Sequence, residues 1–264
     1  MEGLRIIDAM TRLRAAAPLI HNITNFVVMN TTANALLAVG ASPAMVHAEE
    51  EVADFTPLAQ ALVVNIGTLS PPWLAAMRRA ADAAVTAGIP WVLDPVAVGA
   101  TPYRTAAAAM LARRRPSVIR GNASEILALA GDVSAIPKGP DSAHGSEAAI
   151  GAAGRLARDL GTVVAVTGAV DYVTDGSDTA AIANGDPILT RVTGMGCTAT
   201  ALVGAFLGAG LPPFNAAVAG LAALGVAAEI AMAQATGTGS FQVALMDALS
   251  VLDDAMLSAR ARLS

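Results

Sequence analysis

Short apolar runs that end in a polar residue or a glycine recur along most of this chain, with helical stretches between them. The runs are "PLIHNIT", "SPAMVHA", "ALVVNIG", "IPWVLD", "SVIR" and "TVVAVTG". This is the pattern of strands buried on both faces of a sheet. Between them, "NFVVMNTTANALLAVG" reads as a helix opened by Asn25 as cap and closed by Gly40. "PPWLAAMRRAADAAVTAG" has prolines at its start and Gly88 at its end, "NASEILALAG" is capped by Asn122, and "SEAAIGAAGRLARDLG" is a further helix. Strands alternating with helices predict an α/β fold: a parallel sheet with helices on both faces.

After the last run the rhythm changes. "DYVTDGSDTAAIANGDPILTRVT" holds an Asp-Gly and an Asn-Gly-Asp between short strands, which reads as antiparallel hairpins. Beyond Cys197 the chain reads as helix in three pieces, broken by "GLPPF" and "TGTGS". No internal repeat and no linker divides the 264 residues, so a single domain over 1–264 is expected.

The chain is 55% hydrophobic, and no residue from Val192 to Ala228 is charged. That raises a membrane span, but "GLPPF" cuts the run, and each half falls short of the roughly 20 apolar residues a spanning helix needs. The net charge is −5, with no basic block, which argues against a nucleic-acid surface. Cys197 is the only cysteine and has no internal partner, so a cytoplasmic location is expected. The first 18 residues hold no apolar core long enough for a signal peptide. Lys138 is the only lysine and sits in the loop-like "AIPKGPDSAHGSE". A P-loop and the protein-kinase set, each of which needs a lysine in another context, are absent.

In parallel sheets ligands bind beyond the carboxyl ends of the strands. The residues to examine are therefore Asn25, Met45, Gly67, Asp94, Arg120, Thr167 and the turn Gly194–Cys197. "TGMGC" is expected to follow a strand and open a helix. Its glycines let the backbone approach a ligand, and the free N–H groups of a first helical turn favour an anion. The plainer reading is a tight turn that needs glycine. "GMGCTA" also fits the dinucleotide fingerprint G-x-G-x-x-A, but the next acid is Glu229, deep in a helical stretch, and no βαβ unit follows. Cys197 is either a small buried apolar residue or, at a helix N-terminus, a thiol whose pKa falls below about 8.5.

Five blocks, "HNITNFVVMNTTANALLAVGASPAMVHA", "DPVAVGAT", "RGNASEI", "VAVTG" and "TGMGC", occur in order from roughly Pro18 to Ala201. Together they resemble the hydroxyethylthiazole kinase family of the ribokinase-like superfamily. The first and third blocks are specific to that family, and the glycine turn is shared by the superfamily. The resemblance implies a three-layer α/β/α ribokinase-like fold with a mostly parallel central sheet. It implies ATP-dependent phosphorylation of the hydroxyl of 4-methyl-5-(2-hydroxyethyl)thiazole, and a homotrimer with thiazole sites between subunits. It assigns Gly194, Met195, Gly196 and Cys197 to an anion hole, with Cys197 where many superfamily members carry an aspartate base. Arg120 and Thr167 match positions that contact ATP, and Met45 and Asn25 positions that line the thiazole pocket near the Gly194 backbone. Asp94 and Glu125 match acids that help to hold Mg²⁺ and the phosphates.

The chemistry of these residue types agrees. Phosphoryl transfer rests on positioning and charge stabilisation. Hard carboxylate oxygens suit Mg²⁺, and a guanidinium supplies the fixed positive fork that a lysine otherwise gives. A flexible methionine suits a small aromatic ring. Each residue has a plainer role as well: Met45 as core, Asp94 as a turn residue before Pro95, Glu125 as the capping-box partner of Asn122, and Thr167 as a strand end. Arg120 is harder to set aside, because a buried arginine needs an anionic partner. His21 and His47 receive no role. Met195 departs from the family, which usually has a small residue there, and is expected to crowd the turn or narrow the acceptor pocket. The alternatives are a kinase for another small heterocyclic alcohol, such as a hydroxymethylpyrimidine, and a non-catalytic thiazole- or nucleotide-binding protein.

Overall fold

The structure, a computed structural model, describes residues 6–131 and 143–264. Lys138 lies outside these residues. Eight strands form one sheet in the order β2-β1-β3-β4-β5-β6-β7-β8. They are β1 (Leu19–Ile23), β2 (Ser42–Ala44), β3 (Ala61–Asn65), β4 (Trp91–Asp94), β5 (Val118–Asn122), β6 (Val163–Thr167), β7 (Asp171–Thr174) and β8 (Thr179–Ile182). β2 through β6 pair in parallel, while β7 and β8 run antiparallel. The expected parallel sheet is present, and so is the hairpin at the Asp-Gly of Asp175–Gly176. The second hairpin is not: Asn184–Asp186 leads into a short 3-10 helix, Pro187–Arg191, started by the side chain of Asp186. The glycine turn therefore follows a 3-10 helix and not a strand.

Alternate residues of each central strand feed opposite cores. Val63 joins Ile20 and Val92 beneath the helices α1 (Ala9–Ala16), α2 (Met29–Val39), α8 (Met195–Gly208), α9 (Pro213–Met232), α10 (Thr238–Val251) and α11 (Asp254–Arg260). Leu62 and Val64 join Leu93 and Ile119 beneath α3 (Val52–Phe55), α4 (Pro71–Ala87), α5 (Pro102–Ala112), α6 (Ala123–Leu129) and α7 (Ala143–Leu160). Each such fully buried aliphatic side chain contributes roughly 1.5–3 kcal/mol. The result is the three-layer α/β/α arrangement, with the helices on both faces that strands lacking a wet side require.

Three details differ from the sequence reading. α2 starts at Met29, and Asn25 does not cap it; the Asn25 Oδ1 instead accepts from the N–H of Val27 at 3.1 Å. β2 is only three residues long, so Met45 lies just past it at the sheet's edge. α9 spans 20 residues and is long and apolar enough to cross a membrane, which the cut at "GLPPF" was expected to prevent. Most of its length lies inside the protein, where Ala216–Ala228 belongs to the core, as a central helix of a layered fold requires.

Candidate active site

The parallel strands deliver their carboxyl ends to one edge, where Asn65 is in register with Asp94 and Asn122 with Thr167. Asp94 is fully buried there. Its Oδ2 accepts from Asn65 Nδ2 at 2.8 Å and from the Thr200 hydroxyl of α8 at 2.8 Å, and lies 3.7 Å from Arg120 Nη1. Its Oδ1 is buried with no hydrogen-bond partner. Burial pushes the Asp94 carboxyl up to about 6 and the nearby Glu125 charge adds to this, while Arg120, Thr200 and Asn65 pull it down.

A carboxylate only accepts hydrogen bonds, so Asp94 fixes which way the Asn65 amide points. The Asn65 Oδ1 then accepts from Asn25 Nδ2 at 2.8 Å and from the Gly67 N–H at 3.0 Å. Asn25 Nδ2 also reaches Cys197 Sγ at 3.5 Å. One polar chain thus runs from the glycine turn through Asn25 and Asn65 to Asp94.

The turn itself is shaped by two glycines. Gly194 caps α8 with φ +83°, and a Cβ there would run into the side chain of Val28. A Cβ on Gly196 would lie 2.5 Å from Arg120 Nη1. The guanidinium therefore rests directly on the start of α8. The N–H groups of Met195, Gly196 and Cys197 have no protein acceptor among the described residues, and the first helical bond is from Thr198 to Gly194 O at 2.8 Å. Three N–H donors, a helix N-terminus and Arg120 converge on one spot, the requirement for holding an anion. Arg120 also donates through Nη2 to the Thr167 hydroxyl, and its side chain is only 11% exposed.

Beside this spot opens a cavity of about 550 Å³ whose wall includes Arg120, Thr167 and Gly196 and extends to Asn184, Leu221 and Leu224. Met195, buried in the core, is among the residues lining this cavity, together with Arg120, Thr167 and Leu224, whereas Asn25 is not.

Of the two readings of Cys197, the lowered thiol pKa is the one the structure goes against. Burial, and then the Asp94 charge, push its thiol up to about 11, more than its hydrogen-bonded neighbours and Arg120 pull it down. Glu125 completes the capping box of α6: its Oε2 accepts from Asn122 N–H at 2.8 Å, and Asn122 Oδ1 accepts from Glu125 N–H at 2.9 Å. Its other oxygen accepts from Ala97 N–H at 2.9 Å, tying down the loop after β4. Asn25, Asp94, Arg120, Thr167 and Gly194–Cys197 are brought together, with Glu125 beside them. Met45, half-buried at the sheet's edge, is not among the residues lining the cavity. The carbonyl of the next residue, Val46, takes the Nε2–H of buried His21 at 2.9 Å, and burial lowers the pKa of that imidazole.

Four residues that shape the site were not singled out from the sequence. Asn65 and Thr200 hold Asp94. Asp171, whose carboxyl burial pushes up to about 6, borders the cavity near Arg120. Arg104 of α5 grips the carbonyls of Ile66, Gly67 and Val96, fixing the loops after β3 and β4.

A family model described as the hydroxyethylthiazole kinase family matches residues 10–255. The chain belongs to the hydroxyethylthiazole kinase family. It is 58% identical to the hydroxyethylthiazole kinase of Granulibacter bethesdensis, over 98% of this chain and 94% of that one. It is 56% identical to that of Cereibacter sphaeroides, over 95% of each chain. The solved hydroxyethylthiazole kinase of Pyrococcus horikoshii superposes with a TM-score of 0.91 at 47% identity, covering 98% of both chains. The pyridoxal kinase of Bacillus subtilis, solved as an ADP complex, shares the fold at 18% identity and a TM-score of 0.60, over 80% of this chain and 91% of that one. The five sequence blocks that carry the resemblance to the hydroxyethylthiazole kinase family lie within the span that its model matches.

Proposed function

We propose that this chain transfers the γ-phosphoryl group of ATP to the hydroxyl of 4-methyl-5-(2-hydroxyethyl)thiazole, a step that supplies a building block of thiamine. Membership of the family names the reaction class. The observation that carries the assignment to this site is the start of α8, whose three unpaired N–H groups lie between the Arg120–Thr167 cavity and the Asn25–Cys197 pair. The cavity side is read as the ATP site, with Arg120 and Thr167 at the phosphates. The Asn25 side is read as the alcohol side. Met45 is read as a pocket wall that a second copy of the chain would complete in a homotrimer. Phe26 and Val27, which adjoin Asn25 and are 63% and 60% exposed, are apolar surface that such a copy would cover. Residues 1–264 are read as one kinase domain, since the sheet is continuous, and the unpaired Cys197 agrees with a cytoplasmic enzyme.

In this reading the N–H groups of Met195, Gly196 and Cys197 and the Arg120 guanidinium hold the charge that spreads over the phosphoryl oxygens. Asn25 and the Gly194 backbone orient the hydroxyl. Cys197 lies beside the acceptor as a neutral thiol, and the transfer rests on positioning more than on a base. The Asp94 Oδ1, a buried acceptor with no protein donor, fits a hard cation. Glu125 already accepts two N–H bonds, so it suits an outer position, through water. No three of His, Cys, Asp and Glu form a ready-made cage among the described residues. Mg²⁺ keeps most of its waters and is shared with phosphates, so it calls for few protein ligands. When bound, Mg²⁺ neutralises phosphate charge. The test is ADP release on mixing the protein with ATP, Mg²⁺ and the thiazole alcohol. Tight ATP binding with no ADP release for this alcohol would leave only a binding protein.

A further inference from the structure

The last residues of the chain lie against β8. Ala181 exchanges hydrogen bonds with Ser264 at 2.8 and 3.1 Å, and Ala183 N–H donates to Arg262 O at 3.0 Å. Just past β8 the chain bends into Asn184 and Gly185, which form one wall of the cavity. The bonds that fix these two residues lead to Glu229 on α9 and to Arg262. Glu229 Oε1 accepts from Gly185 N–H at 2.9 Å, from Asn184 Nδ2 at 3.1 Å and from Arg262 Nη2 at 2.6 Å, and Oε2 accepts from Arg262 Nη1 at 3.3 Å. The Asn184 Oδ1 accepts from the Arg262 N–H at 2.7 Å, and its Nδ2 donates to Arg260 O at 2.9 Å. One helical turn before Glu229, Gly225 lies under Asn184: a Cβ there would come within 2.7 Å of Asn184 Cβ. The cavity wall and its clasp are thus built from one face of α9 and the chain's end.

Exposed ion pairs contribute little as a rule, and Arg262 is 54% exposed. This pair differs in being bidentate and in sharing its carboxylate with a buried asparagine and a backbone N–H. Neither Glu229 nor Arg262 lines the cavity, and their hydrogen bonds reach none of Arg120, Thr167 or the first turn of α8. We propose that Glu229 and Arg262 are positioning residues that clasp the Asn184–Gly185 wall, so that the C-terminal residues set the affinity for ATP without taking part in the transfer. This rests on the reading of the cavity as the ATP site.

The experiment is steady-state kinetics on full-length Arg262→Met and Glu229→Gln, varying ATP at saturating thiazole alcohol, with melting curves of each variant. The expected result is a KM for ATP raised on the order of tenfold. The kcat and the KM for the alcohol should stay within about twofold. Arg262→Lys, which keeps the charge but not the fork, should recover part of the loss. An unchanged KM for ATP in both variants would overturn the clasp, as would a parallel loss in kcat and both KM values. If Arg262→Met does not fold, Glu229→Gln carries the test alone, because it keeps shape and an acceptor oxygen. The wild-type protein separates the two claims. If it neither binds nor turns over ATP, the ATP-site reading fails and the clasp with it; if it does both while the variants match it, only the clasp fails.

Discussion

Asp94 lies two amide side chains away from Cys197 on one hydrogen-bonded chain, and its negative charge adds to burial in pushing the Cys197 thiol up to about 11. At neutral pH the thiol is protonated and a poor proton acceptor. A general base typically contributes about 10²–10⁴-fold. Cys197→Ala should lower kcat by less than about tenfold, below that range. Steady-state rates of the purified variant decide this, and a loss of a thousandfold with an intact fold would make the thiol a base after all.

Gly196 lies against Arg120. A methyl group there would meet the guanidinium at 2.5 Å, the flexible end of a side chain, so Gly196→Ala should fold with Arg120 displaced. Its KM for ATP should rise by roughly ten- to a hundredfold, the loss of one or two charged hydrogen bonds. Gly194→Val meets two obstacles, a left-handed φ of +83° and the Val28 side chain, and should lose turnover altogether. Parallel melting curves check that the difference lies in the site. Equal ATP affinity in Gly196→Ala and the wild type would show that Arg120 does not need its place on the turn.

Arg120 spans Asp94 and Thr167 with its fork, which a lysine cannot reproduce. Arg120→Lys should keep the fold and weaken ATP binding at least about tenfold. Binding of the thiazole alcohol, measured separately by calorimetry, should be little changed. Unchanged nucleotide affinity would remove Arg120 from the phosphates.

The strand ends were legible because a strand buried on both faces leaves a short apolar run, and its last polar residue marks the edge where Asp94, Arg120 and Thr167 meet. Asn122 and Glu125 were legible because a capping box is local. Asn65 ends the run "ALVVN" without a signal of its own, since nothing in the run says that its amide bridges Asn25 and Asp94. Thr200 reaches Asp94 across 106 residues of sequence, inside an apolar helix, and no local pattern encodes that. The sequence leaves two readings of Cys197 open for the same reason: the helix start is visible in it, whereas the burial and the Asp94 charge that push the thiol up come from the fold. The 3-10 helix at Pro187–Arg191 was missed because Asn-Gly-Asp suits a hairpin equally well, and Asp186 capping Ile188 decided otherwise. α5 carries its own start signal, Thr101 before Pro102, but its alanine-rich sequence shows little periodicity.

Asp94 gives a prediction in which stability and activity move in opposite directions. Its carboxyl is raised from 3.8 to about 6 in the fold, chiefly by burial. The folded state therefore holds this proton more tightly than the unfolded chain. The stabilisation from Asp94 is full below the unfolded value of 3.8 and is lost as pH rises through about 6. Asp94→Asn removes the buried charge and keeps an oxygen for Asn65 and Thr200. Its melting temperature should exceed that of the wild type at about pH 7.5, and the gap should close as pH falls below about 4. Turnover should fall to background over the same range, because the amide cannot supply the anionic oxygen that a cation needs. The wild-type rate itself should decline as pH drops below about 6, where the carboxyl takes up its proton. Thermal melts and a pH–rate profile on both proteins test this together. A variant less stable than the wild type at neutral pH would mean that pairing with Arg120 outweighs the cost of burying the charge.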